Sequence, residues 1–172
     1  MTAPVAGGKT FLANLMSVIA GTTAKPLVRL KQSAAQTGIA NNTATTILFD
    51  TEDFDTHGYH STSSNTGRIT PLKAGYYRVA GTVIWQNRTD WQLLYCFLRL
   101  NGSTQIPPGG RNPGTTQSFA HAVSCTALIA FNGTTDYVEL MGQAAILAGG
   151  THSTVVGGAQ NSVLELEFVR DL

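Results

Sequence analysis

The run Tyr76-Tyr-Arg-Val-Ala-Gly-Thr-Val-Ile-Trp85 alternates without a break. Tyr77, Val79, Gly81, Val83 and Trp85 fall on one side of an extended chain; Tyr76, Arg78, Ala80, Thr82 and Ile84 fall on the other. A period of two is the mark of a strand, and the turn residues Pro71-Leu-Lys-Ala-Gly75 introduce it. Neither side is cleanly polar. A sheet with a core on one face and small apolar residues on the other is usually covered on both, the second time by a neighbour. An oligomer is therefore expected.

The same period recurs outward from this strand. Segments 27–32, 43–49, 93–100, 118–131, 137–141 and 162–169 also read as strands. Asn101-Gly102 and Asn132-Gly133 are hairpin signals. The proline- and glycine-rich span 107–114 and the glycine-rich span 149–158 read as loops. Many strands, frequent turns and no helical pattern after residue 26 predict an all-β protein, a sandwich or jelly roll. Residues 1–26 form a separate unit, an N-terminal arm or helix. There Phe11, Leu12, Leu15, Met16 and Ile19 recur at helical spacing, and Gly21 and Pro26 end the pattern. That apolar face is too small to make a core, so the arm is expected to anchor a head domain, 27–172, to some partner.

Composition narrows the function. Only 12% of the 172 residues are charged and the net charge is +1. Without clustered Lys and Arg there is no footprint for a phosphate backbone, which argues against nucleic acid. No apolar run reaches the length of a membrane span. The segment 11–20 carries Asn14 and Ser17 and follows an uncharged start, so an unprocessed chain is expected. Cys96 and Cys125 sit in apolar alternating runs and read as buried free thiols, although one disulfide remains open as an alternative. No cofactor is implied.

The stretch most suggestive of chemistry is Asp50-Thr-Glu-Asp-Phe-Asp-Thr-His-Gly-Tyr-His60. Asp53, Asp55 and His57 echo a calcium loop, but His57 stands at the third ligand position, and Ser64 stands where a bidentate Glu belongs. A polar turn competes with a cation site at these three residues. Gly7-Gly8-Lys9-Thr10 resembles the end of a phosphate loop, yet the earlier glycine is replaced by Ala3 and no strand precedes it. No Gly-x-Ser-x-Gly elbow exists. His121 reads as a core or interface histidine and His152 as a solvated one. No catalytic residue is assigned, and a non-enzyme is expected.

The stretch 49–81 resembles the trimeric jelly roll shared by tumour necrosis factor and the globular heads of the complement first component's q subcomponent. Phe49 and Asp55 match that family's Phe-x5-Asn/Asp element. Ile69, then five residues, then Gly75-Tyr76-Tyr77 matches its second element at Gly75 and Tyr77. Val79 and Gly81 depart from its bulky consensus, and the intervening stretch is two residues longer. Leu-Arg-Leu-Asn-Gly at 98–102 also fits. Phe49, Asp55, Gly75 and Tyr77 are thereby implied to be framework positions, with Asp55 ordering the loop after the strand at 43–49. The wording of 48–58, 61–65 and 68–70 is similar to small minor capsid or minor tail proteins of tailed bacteriophages infecting actinobacteria.

That resemblance implies a virion protein, a homotrimer. In the first reading it is a capsid decoration or minor capsid protein whose arm binds the major capsid protein shell. In the alternative it is a minor tail or receptor-binding protein that meets tail proteins and a host-surface glycan. Loops 59–67, 107–114 and 149–158 are its candidate contact surfaces, with Tyr59, Trp91 and Arg111 as candidate contact residues. A glycan hydrolase is the third and weakest reading.

Overall fold

The computed structural model describes residues 24–113, 119–158 and 160–172. The arm residues Phe11, Leu12, Leu15, Met16 and Ile19 lie outside the described residues. The strands are β1 (Leu27–Lys31), β2 (Ile39–Ala40), β3 (Thr45–Thr46), β4 (Thr51–Asp55), β5 (Arg68–Ile69), β6 (Gly75–Trp85), β7 (Trp91–Leu100), β8 (Thr104–Asn112), β9 (His121–Phe131), β10 (Val138–Ile146), β11 (Thr151–His152) and β12 (Val163–Arg170). They build two antiparallel sheets. The first runs β4-β1-β12-β6-β9 and the second β3-β10-β7-β8, with β5 also on β10; β11 and β2 make a small separate pair.

The alternation decides what each sheet buries. Tyr77, Val79, Val83 and Trp85 of β6 are completely buried, as are Leu164 of β12, Leu94 and Cys96 of β7, and Leu140 and Ala144 of β10. These side chains meet between the sheets in one jelly-roll core. Tyr77 packs edge-on against both Phe131 and Phe168, with ring centroids 5.5 and 5.2 Å away. Its hydroxyl donates to the Lys73 carbonyl at 2.8 Å, so its polar tip costs nothing on burial.

The expected Asn101-Gly102 hairpin is present. Asn101 and Gly102 have φ of 52° and 71°, the two left-handed residues of a type I′ turn. Asn132-Gly133 instead opens a longer connection. There the Asn132 side-chain oxygen accepts from the amides of Thr134, Thr135 and Asp136, which closes an Asx-type turn.

Three expectations are corrected. The segment 43–49 yields only the two-residue β3, although Ile47 and Phe49 are fully buried. Its apolar residues fill the core while its backbone stays irregular, and the ladder forms further on, at β4. The span 107–114, read as a loop, is strand through Asn112. Its prolines are tolerated because they fall at a register shift of the edge strand β8, between the pairs Leu98–Ile106 and Cys96–Gly110, where no regular ladder bond is lost. The span 149–158 contains β11, and Thr154 forms a bridge to Trp85.

Candidate functional site

The acidic stretch is divided by a β-bulge. β1 and β4 pair Arg29 with Phe54 and Leu30 with Glu52, which leaves Asp53 as the extra residue. Asp53 emerges on the charged outer side, where it meets Arg29 at 3.2 Å and also pairs with Lys31. Asp55 is opposite Val28 and turns the other way. Its two carboxylate oxygens accept from the amides of His57 and His60, at 3.2 and 2.8 Å. The loop that Asp55 orders thus follows β4 rather than the segment 43–49. Among the described residues, no group of three or more His, Cys, Asp or Glu converges as a metal site would. His57 turns its Nδ1 to the Thr56 hydroxyl at 2.8 Å.

Glu52 and His60 do the remaining work of this stretch. The His60 side chain is fully buried, with Nδ1 2.7 Å from Glu52 Oε1 and Nε2 3.1 Å from the Thr66 carbonyl. The ring thus bridges β4 to the loop that reaches Thr66. Glu52 is drawn in by His60 and is only partly exposed. Asp50 is exposed. It accepts from the Ser33 hydroxyl and amide, and the hydroxyl bond holds its carboxyl below the usual carboxylate range.

Phe49 and Tyr77 are fully buried. Gly75 is pressed so closely on the Phe168 ring that a Cβ there would lie 2.5 Å from it.

The candidate contact residues fare differently. Tyr59 is 4% exposed and Trp91 is 3% exposed, so neither is a surface contact. Tyr59 joins the core, and its carbonyl accepts from the Thr70 amide. Trp91 enters β7 and packs between Trp85, at 6.2 Å, and His152, at 5.0 Å. His152 was expected to be solvated, yet it is 1% exposed. Its Nε2 lies 2.9 Å from Asn41 Oδ1, an oxygen that already accepts from the Ile146 amide; Nε2 is therefore the donor. His121 is buried, with its ring 4.6 Å from Phe119, which is half exposed. Arg111 is exposed on β8.

The outer face of the first sheet is sharply divided. Over β4, β1 and β12 it carries a ladder of ion pairs: Asp53 with Arg29 and Lys31, Arg29 with Glu165, and Arg78 of β6 with Glu167. Over β9 it carries Ala122, Ser124, Thr126, Leu128 and Ala130, all exposed and none charged. Leu128 is 62% exposed. Ala80, Thr82 and Ile84 of β6 continue this uncharged half.

No protein-family model matches the chain, and no curated protein matches it. Solved structures do resemble it. The Eiger tumour necrosis factor of S. frugiperda is 10% identical with a TM-score of 0.58, over 86% of this chain and 94% of that one. Murine APRIL is 7% identical with a TM-score of 0.57, over 84% and 99%. At such identity the likeness concerns fold alone: the chain is an all-β jelly roll of the tumour-necrosis-factor type.

Proposed function

We propose that this protein is a non-enzymatic structural protein of a bacteriophage virion. It self-associates as a homotrimer and decorates the capsid, with the N-terminal arm bound to the shell. The observation that carries self-association is the uncharged half of the first sheet. A row of Ala, Ser, Thr and Leu beside a row of ion pairs is a surface made to be covered on one side only. A three-fold head then suits a three-fold or quasi-three-fold position on a shell. The titratable residues of 50–60 hold strands and loops together, which fits a scaffold role better than an active site. The likeness of 48–70 to minor capsid and minor tail proteins supports the virion assignment.

A second reading, a minor tail or receptor-binding protein, is favoured by the exposed Arg111 on the opposite sheet. An averaged map of the particle separates the two. Density for the jelly roll over the icosahedral shell is the expected result; copies confined to the tail overturn decoration in favour of receptor binding.

A further inference from the structure

The second sheet carries a row of three polar side chains side by side on its outer face. Tyr95 of β7 is paired with Arg111 of β8 on one side and with Gln143 of β10 on the other. Directly paired residues project from the same face of a sheet, at strand spacing of about 4.8 Å. Guanidinium, phenol ring and carboxamide therefore stand abreast on the outer face. They line an open cleft of about 430 Å³ together with Leu93 and Gly109.

Each member of the row has spare capacity. Among the described residues, Arg29, Arg78, Arg88 and Arg99 are in ion pairs, and Arg68 and Arg170 lie over the rings of Tyr137 and Tyr76. Arg111 has neither kind of partner there. Gln143 donates its amide nitrogen to Asn42, which leaves its carbonyl oxygen as a free acceptor. The Tyr95 hydroxyl is fixed by Gln105 Nε2 at 2.7 Å. Its ring lies so close over Gly109 that any side chain there would collide with it. The Phe97 ring also packs on it, with centroids 5.3 Å apart, so the Tyr95 ring is held in place, and rigid aromatic surface is what a shallow site needs to bind without a large ordering cost.

From this we infer that the Arg111–Tyr95–Gln143 row is a binding site for an acidic saccharide. One sugar ring lies on Tyr95, its carboxylate forms a bidentate pair with Arg111, and a hydroxyl donates to Gln143. A planar guanidinium fits a carboxylate in this way. A flat ring and a lateral hydroxyl acceptor, set one strand spacing apart, fit a pyranose better than an acidic peptide. The inference deepens the receptor-binding reading. Particle location is measured separately, so loss of either does not entail loss of the other.

The test is titration of the isotope-labelled full chain with tri-galacturonate, its methyl ester and tri-glutamate, followed by amide shifts. Tri-galacturonate is expected to move the amides of Tyr95, Arg111 and Gln143. The ester is expected to bind at least about tenfold more weakly, a loss of about 1.4 kcal/mol. Arg111→Ala, at an exposed position, is expected to keep the spectrum of the folded protein and lose at least about tenfold in affinity. Equal binding of tri-glutamate, binding unaffected by Arg111→Ala, or no shift with any of the three ligands overturns the proposal.

Discussion

Cys96 on β7 donates its thiol hydrogen to the Val123 carbonyl on β9, 3.2 Å away, and so joins the two sheets at their β8–β9 side. Cys125, two residues further along β9, is its neighbour, and both thiols are free and buried. The Cys96 sulfur and burial push the Cys125 thiol far above its ordinary range. Thiolate, not thiol, is the nucleophile. Iodoacetamide at neutral pH is therefore expected to leave the native chain unmodified at Cys125 and to add two groups in denaturant, read by intact mass. Rapid native labelling of Cys125 would contradict the packing.

Gly110 lies where β8 crosses the edge of β9, with no room for a Cβ against the Ser124 carbonyl. Backbone cannot step aside as a flexible side chain can. Gly110→Ala is expected to destabilise by about 1–3 kcal/mol, the usual cost of overpacking, or more. Denaturant unfolding would show a lower midpoint with an unchanged slope.

His152 gives the fold a pH dependence. With Nε2 donating to Asn41, the neutral ring carries its lone pair on Nδ1, buried against Trp91. Protonation places a charge there. Burial chiefly, and then the Arg88 cation, lowers the His152 pKa below 6.5, with Asp90 opposing. The unfolded chain thus binds this proton more readily than the folded one, and stability falls as pH drops below about 6.5. Melting temperature is expected to decline from pH 7 to pH 5, and His152→Gln to flatten that decline. An unchanged slope in the variant would assign it to other groups.

Asp55 holds two loop amides, so Asp55→Ala is expected to cost about 1.5–3 kcal/mol, as for hydrogen bonds to a charged group. Exchange protection should be lost first at the His57 and His60 amides. Because Asp53 is already paired with Arg29 and Lys31, chelation of divalent cations is expected to leave the melting temperature unchanged.

Leu128 is the largest exposed side chain of the uncharged row on β9 and stands opposite Arg78 of β6. Leu128→Asp is expected to shift the native mass from three chains to one of 18.2 kDa, with an unaltered circular dichroism spectrum. A wild-type chain that is already a monomer would remove the proposed assembly.

Where one pattern served both burial and hydrogen bonding, the sequence was easily read. β6 is long, central and two-faced, so its alternation gives strand, face and register together. The segment 43–49 separates the two. Ile47 and Phe49 alternate because both reach the core, while the backbone that carries them joins no long ladder. The acidic β4 is hidden for the opposite reason: it is an edge strand whose partners are the cations of β1, and a bulge breaks its period at Asp53. Tyr59, Trp91 and His152 lie beside polar or glycine neighbours and show no period, yet they close one core. For the two large aromatics, residue type was the better guide to burial. The Arg111–Tyr95–Gln143 row spans three strands, and only their register brings it together.

The bulge at Asp53 has a further effect. A sheet edge invites any extended chain to add itself as the next strand, and repeated addition ends in a fibre. At β4 that invitation is withdrawn: the strand has five residues, is kinked at its middle, and carries a carboxylate already claimed by two cations. In the proposed assembly, neighbours then meet through side chains on a chosen face, and open-ended polymerisation through the backbone is discouraged.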